Sequence, residues 1–172
     1  MEEIKKERRE YIEHAAKEFC RKYQIGRAGA GLEEAVYTMK GSILYLDHTF
    51  DKGKIIKLNE SEDQFQIQLT QNPQTRRGKI ALAYWLGHLF LHTSFLRQDD
   101  QWNNQSENMD FSESCHRLEA TLFAMSVFMP KDKVKFYIEQ IGKRRVDLNK
   151  LASAFGVSVY LAGKRCRDLG WL

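Results

Sequence analysis

The stretch AYWLGHLFLH, residues 83–92, constrains this chain more than any other feature of its sequence. It lies within a largely apolar run from about Arg77 to Phe95, which is longer than a typical strand and predicts a helix. His88 and His92 are four residues apart, so a helix presents both imidazoles on one face. The run therefore predicts either a helix that carries a histidine-based site or a core helix with two hydrogen-bonded histidines.

Length and composition predict one globular unit in the cytoplasm. With 172 residues, of which 42% are hydrophobic and 29% charged, the chain is long enough to bury a substantial core. No segment approaches the ~20 consecutive apolar residues that span a bilayer, and the charged N-terminus lacks the apolar stretch of a secretory signal. Cys20, Cys115 and Cys166 are widely spaced and odd in number, which favours thiols in a reducing compartment. We therefore expect no membrane partner.

Short runs with turn residues between them predict a small β-sheet at 35–70. An amphipathic helix from about Ile4 to Tyr23 and a glycine-rich connection at 26–31 precede it. The four predicted strands are AVYTM, SILYLD, KIIKLN and FQIQL, which are rich in β-branched and aromatic residues. In the last of them apolar residues alternate with Gln66 and Gln68, as in a half-buried strand.

A polar segment and a second apolar helix follow the histidine helix. Residues 97–114 are polar and predict a surface loop, of a length that is often functional. Asp110 or Ser112 is expected to cap the next helix, which runs through CHRLEATLFAMSVFM and ends at Pro130.

The last part of the chain is basic and predicts a helix-turn-helix. Residues 131–172 contain ten Lys and Arg against four Asp and Glu. A helix at about 131–141 should end at Gly142, followed by a pair at about 147–155 and 158–169. Gly156 makes the turn of that pair, and Ser158 caps its second helix. In that helix Val159, Ala162 and Cys166 are expected to face inward, and Lys164, Arg165 and Arg167 to face solvent.

Two motifs resemble those of a known family. Zinc peptidases of the zincin type carry HExxH on a helix, where both histidines bind the metal, the glutamate takes a proton from the bound water, and a second helix adds a ligand. RRGKIALAYWLGHLFLH resembles the RxxFTxAHELGHLLLH helix of the ImmA/IrrE family of metallopeptidases. Glu119 follows His92 by 27 residues, and there EATLFAMSVFMP resembles the family's EANxFAxxLLMP. The resemblance covers nearly the whole chain.

The resemblance implies an α+β fold in two parts. Residues 1–130 would form a zincin-like domain with helices and a small sheet, and 131–172 a helical, HTH-like segment. Carried over by position, the family's second zinc histidine falls on His88 and its glutamate ligand on Glu119. Its first zinc histidine falls on Tyr84 and its catalytic glutamate on Trp85.

These two substitutions remove the groups on which the chemistry depends. An indole nitrogen only donates, so Trp85 cannot take a proton from water. Tyr84 can bind a metal only as phenolate, against an ordinary pKa near ~10. The loss of a general base typically costs about 10²- to 10⁴-fold in rate. We therefore predict that the chain has no catalytic residue.

A rearranged zinc site is the alternative. His88 and His92 could bind a metal together with Glu119 or with His116, which lies one turn before Glu119. However, the family's own motif has a histidine at the His92 position that is not a ligand. We therefore expect no bound cofactor, and two buried histidines hydrogen-bonded to Glu119 and the backbone.

The resemblance also implies a partner. Family members typically cleave a repressor of the XRE helix-turn-helix type, in bacterial or mobile-element gene regulation. The leading hypothesis is a degenerate member that binds such a repressor without cutting it. The predicted partner-binding residues are Tyr84, Trp85, Lys164, Arg165 and Arg167. Two alternatives are an active zinc endopeptidase and a protein that binds DNA through its C-terminal helices.

Overall fold

The computed structural model describes residues 4–47, 53–59, 62–98, 100–103, 109–141 and 146–172. These residues form an α+β fold, as predicted. Its elements in chain order are α1 (Lys6–Lys22), a 3₁₀ turn (Arg27–Gly29), α2 (Leu32–Thr38), β1 (Gly41–Tyr45), β2 (Lys54–Lys57), β3 (Phe65–Leu69), α3 (Arg76–His92), α4 (Asp100–Asn103), α5 (Ser114–Phe128), α6 (Lys131–Ile141), α7 (Leu148–Phe155) and α8 (Val159–Asp168).

The sheet has β3 at its centre. β1 pairs with β3 in parallel and β2 pairs with β3 antiparallel, so that Ile43 and Ile55 both lie beside Ile67. The apolar residues of β3 are buried and its two glutamines are half-buried, which confirms the alternation read from the sequence. This pleat directs one face of the sheet into the core.

The first of the four predicted strands is wrong, because residues 35–38 belong to helix α2. Leu32, Ala35 and Val36 are buried at helical spacing, and the acidic Glu33 and Glu34 lie in the first turn, where the helix dipole favours negative charge. The β propensity of a valine and a tyrosine was outweighed by this pattern. The structure therefore has three strands in its described part.

Helix α3 lies at the centre of the fold and packs most extensively against α5. Thr75 caps its start by accepting a hydrogen bond from the backbone of Gly78 at 3.1 Å. Gly87 permits the close approach of the two helices, since a Cβ atom there would lie 3.1 Å from the Cα atom of Ala120. Helix α1 packs on the same helix α5. The residues that carry the family resemblance are thus held on two closely packed helices.

The segment between α3 and α5 is less exposed than its polarity predicted. In its described part, Trp102 is 3% exposed and Met109 is 9% exposed, so apolar residues anchor it to the core. The capping prediction is also wrong: α5 begins after Glu113, and the Asp110 carboxylate accepts instead from the backbone of Ser112 at 2.9 Å. None of the described helices is both long and apolar enough to cross a bilayer.

The C-terminal helix pair lies where it was predicted. Asp147 caps α7, Ser158 caps α8, and Gly156 adopts a left-handed conformation with φ of 69° in the turn between them. Ala162 and Cys166 are fully buried as expected, whereas Val159 is 44% exposed. The predicted helix end at Gly142 lies outside the described residues.

Arg165 corrects the prediction that it faces solvent. The residue is fully buried, and its two terminal nitrogens donate to the Glu13 carboxylate of α1 at 2.6 and 2.7 Å. Its Nε donates to the carbonyl of Met129 at 3.0 Å. A planar guanidinium meets a carboxylate in this two-pronged geometry. Arg165 therefore fastens α8 to α1 and to the end of α5, and Arg167 remains as the exposed arginine of α8.

Replacing Glu13 by alanine tests this anchor. The substitution leaves the Arg165 guanidinium buried without its counter-charge, so we expect the free energy of unfolding to fall by roughly 3 kcal/mol in a denaturant titration. Lys17→Ala is a matched control on the same helix. It breaks a largely exposed ion pair with Asp132 and should cost less than about 1 kcal/mol. Equal losses in the two variants would contradict an anchoring role for Arg165.

Candidate functional site

Three helices meet at the candidate site. Helix α3 contributes His88 and His92, which lie one turn apart, and α5 contributes Glu119. Helix α1 contributes Arg8, which the sequence did not single out. The structure thus brings together all four candidate metal ligands, since the His116 ring lies 4.2 Å from that of His92 between centroids, and adds a permanent positive charge to them.

Arg8 binds the carboxylate that corresponds to the family's third zinc ligand. Its Nε donates to Oε1 of Glu119 at 3.0 Å and its Nη2 donates to Oε2 at 2.5 Å. The Glu119 side chain is 14% exposed and that of Arg8 is 36% exposed, so the carboxylate side of this ion pair is the better shielded from water. Both carboxylate oxygens are consequently used within the protein.

The imidazoles extend this pair into a chain of four groups. Nε2 of His92 lies 3.0 Å from Oε2 of Glu119, and Nδ1 of His92 lies 3.0 Å from Nδ1 of His88. The expected bond between a buried histidine and Glu119 is confirmed for His92. His88 instead reaches Glu119 through His92, and its own Nε2 is buried without a partner among the described residues.

The charges of the four groups in this hydrogen-bonded chain follow from their surroundings. Burial raises the pKa of Glu119, but hydrogen bonds from Arg8 and His92 outweigh it and hold the pKa below its usual range. Burial lowers the pKa of His92 and, with help from the neighbouring imidazoles, lowers the pKa of His88 to about 3. At neutral pH the site therefore contains one cation, one carboxylate and two neutral imidazoles.

These charges fix the direction of each hydrogen bond. A carboxylate only accepts, so Nε2 of His92 donates to Glu119. A neutral imidazole has one donor and one acceptor nitrogen, so Nδ1 of His92 accepts and Nδ1 of His88 donates. Nε2 of His88 is then left with a lone pair. Of the four imidazole nitrogens of His88 and His92, it is the one that keeps an unused electron pair.

Aromatic rings enclose His88. Phe111 stacks on the imidazole with ring centroids 4.4 Å apart, and Tyr84 meets it edge-on at 4.7 Å. Trp85 lies 5.3 Å away on the same helix and is 9% exposed, so it fills core volume and offers a partner little surface. Phe111 was missed by sequence reasoning, and the available signal was an isolated aromatic residue in a polar segment.

The residues present do not fit the zinc site of the family. Burial raises the pKa of Tyr84, so its phenol stays protonated and is a poor metal ligand. Glu119 is occupied by Arg8 and His92. Of the described residues, the set that brings three ligand atoms within 4.8 Å of one another is Glu113, Cys115 and His116, not His88, His92 and Glu119. The four-membered chain is linear, whereas a tetrahedral metal requires convergent ligands.

A cleft of about 940 Å³ opens beside the hydrogen-bonded chain of Arg8, Glu119, His92 and His88. Its walls are formed by three helices and the segment after α3, and its lining includes Arg8, Tyr11, His92, Leu96, Arg97, Gln101, Cys115, His116 and Glu119. His92 and Glu119 face this space, whereas Tyr84, Trp85 and His88 are not part of its described lining. Lys164 is half-buried and Arg167 is exposed on α8, and neither lines the cleft.

The lowered histidine pKa values predict acid sensitivity. An unfolded histidine titrates near 6.5, so between pH 6.5 and about 3 the unfolded chain binds a proton that folded His88 does not. Stability should therefore fall as pH drops through this window, by up to about 1.4 kcal/mol per pH unit for this residue. Glu119 acts in the same direction below its unfolded pKa of 4.5, since its folded pKa is lower.

His88→Phe should make this decline shallower between pH 6.5 and 4.5, as measured by denaturant unfolding at several pH values. His14→Asn is the matched control, because it removes an exposed histidine outside the cluster. An unchanged slope in His88→Phe would contradict a buried neutral imidazole at this position.

Comparison with known proteins agrees with the motifs. The profile of the IrrE N-terminal-like domain, a peptidase family, matches residues 33–167. Among solved structures, a Mycobacterium tuberculosis transcriptional regulator is similar, with a TM-score of 0.56 and 19% identity over 91% of this chain and 46% of that chain. This chain thus spans less than half the length of that protein, and the likeness concerns the fold alone. No curated protein matches. On the match of its sequence to the family profile, the chain belongs to the IrrE N-terminal-like, or ImmA/IrrE, family.

Proposed function

We propose that this chain is a catalytically degenerate ImmA/IrrE domain that binds a helix-turn-helix transcriptional regulator of the XRE type without cleaving it. The observation that carries the proposal is the bidentate ion pair, with two hydrogen bonds, between Arg8 and Glu119. Beside this carboxylate, the guanidinium supplies the positive charge that zinc supplies in the family's peptidases. A metal would have to displace Arg8 to reach Glu119.

The absence of a suitable base supports the same proposal. Hydrolysis of a peptide bond by a zincin requires a carboxylate that takes a proton from water, and Trp85 offers none. Glu119 is held by Arg8 and His92, and the lone pair of His88 lies behind stacked rings.

The cleft is the proposed binding surface. Two large apolar side chains in its lining are mostly exposed, Tyr11 at 51% and Leu96 at 55%. Exposed apolar side chains surrounded by polar ones are typical of protein-binding sites where they form a patch. Arg97 adds positive charge and would complement an acidic segment of the partner.

The regulatory setting is supported by the family and by the fold. The solved structure reported above is named as a transcriptional regulator. Family members typically act on repressors, and a domain that keeps the cleft but lacks the chemistry would sequester such a partner or compete for it. The proposed partner is therefore a small repressor, which the neighbouring gene would identify.

Binding to such a repressor tests the proposal, with calorimetry as the readout. Leu96→Asp should weaken binding at least about tenfold, a loss of about 1.4 kcal/mol, because it places a charge in the apolar part of the cleft. Phe136→Asp is the matched control, since Phe136 is 64% exposed on α6 and lies outside the described cleft lining. Equal effects of the two variants, or no binding by the parent protein, would contradict the proposal.

Mixtures of the protein and the repressor also distinguish binding without cleavage from the peptidase alternative. The mass of the repressor should be unchanged after prolonged incubation with added zinc. Repressor fragments that appear with the parent protein and disappear with His88→Ala would establish an active zinc endopeptidase.

Direct DNA binding is the remaining alternative, and the burial of Arg165 weakens it. It predicts salt-dependent affinity for duplex DNA that falls when Lys164 and Arg167 are neutralised. Our proposal predicts that a Lys164→Gln, Arg167→Gln variant still binds the repressor as the parent does.

A further inference from the structure

A second cluster of metal-binding side chains lies at the start of α5. It consists of Glu113, Cys115 and His116, whose ligand atoms all lie within 4.8 Å of one another. The Glu113 carboxylate is close to both of the others: its Oε2 lies 3.5 Å from Sγ of Cys115 and 3.6 Å from Nε2 of His116. All three are within four residues, so a single helical turn arranges the set.

The two separations measured from Glu113 match those of ligands that share a tetrahedral metal ion. Zinc binds thiolate sulfur at about 2.3 Å and imidazole nitrogen or carboxylate oxygen at about 2.0–2.2 Å, which places neighbouring ligand atoms about 3.4–3.6 Å apart. The Cys115 thiol donates to Glu113 across the 3.5 Å separation, and both this distance and the 3.6 Å to His116 agree with the spacing of zinc ligands. Cysteine, histidine and glutamate are also the donor types that zinc prefers.

The local structure orients these groups at the start of α5. Glu113 is the N-cap residue of α5 but its side chain makes no capping hydrogen bond. The His116 ring packs on His92 with centroids 4.2 Å apart, which orients the ring and leaves Nε2 facing Glu113. Cys115 is reduced and exposed. Two ligands that carry negative charge when bound to metal would offset the positive end of the helix dipole.

We propose that Glu113, Cys115 and His116 bind a zinc ion at the mouth of the cleft, with water in the fourth position. Cys115 and His116 line the cleft, so the ion would face a bound partner. The site is distinct from the position of the family's metal, because it uses neither His88 nor Glu119. It does not depend on the function proposed above, since the ligands stand outside the chain of Arg8, Glu119, His92 and His88.

Cobalt is the probe for this site, because a thiolate bound to Co²⁺ gives a charge-transfer absorption in the near ultraviolet that oxygen and nitrogen ligands do not give. Titration of Co²⁺ into metal-stripped full-length protein should produce this band with saturation at one equivalent, and zinc should displace it. Cys115→Ser should abolish the band. His116→Ala should weaken cobalt binding at least about tenfold, since even loss of a residue that only supports a ligand costs 10- to 100-fold.

Two controls separate this site from other thiols and from the family's position. Cys20→Ser should retain the band, because Cys20 is half-buried on α1 and burial raises the pKa of its thiol to about 11. His88→Ala should retain it as well, and circular dichroism should show that each variant is folded. Absence of the band in the parent protein, or its persistence in Cys115→Ser, would overturn the proposal. Loss of the band in folded His88→Ala would place the metal at the family's position and overturn it too.

Discussion

The linear chain from Arg8 through Glu119 and His92 to His88 is the interaction on which the arrangement of the core depends. It joins α1, α5 and α3, and Glu119, His92 and His88 are largely shielded from water. A buried polar group without a partner is costly, so these hydrogen bonds favour the packing of the three helices that brings the four side chains together. His88 and Glu119, at positions that would bind a metal in a peptidase, here belong to this hydrogen-bonded set.

Helix α1 is joined to both α5 and α8 through two arginine–carboxylate ion pairs. It gives Arg8 to Glu119 on α5, and its Glu13 receives Arg165 from α8. Both contributions from α1 precede the region matched by the family profile, residues 33–167. The guanidinium that stands beside Glu119 therefore comes from a segment outside that matched region, which explains why the family motifs alone do not reveal it.

The sequence predicted most elements of the fold but little of the site's electrostatics. The central helix and the second motif helix are long apolar runs, and the C-terminal pair has clear caps, so their positions were predictable. Residues 35–38 were misassigned because a short apolar run fits a strand as well as a helix. Arg8 and Arg165 are single members of charged runs, and only tertiary packing distinguishes a buried arginine from a solvated one. Phe111 lies in a polar segment, and only tertiary packing shows that it stacks on His88.

Zinc binding by the Cys115→Ser protein tests the central claim most directly, because this background removes the separate thiol site. Dialysis against zinc followed by elemental analysis should find far less than one equivalent, since Arg8 already neutralises Glu119. One equivalent of zinc that is lost on a further Glu119→Gln or His88→Ala substitution would contradict the account.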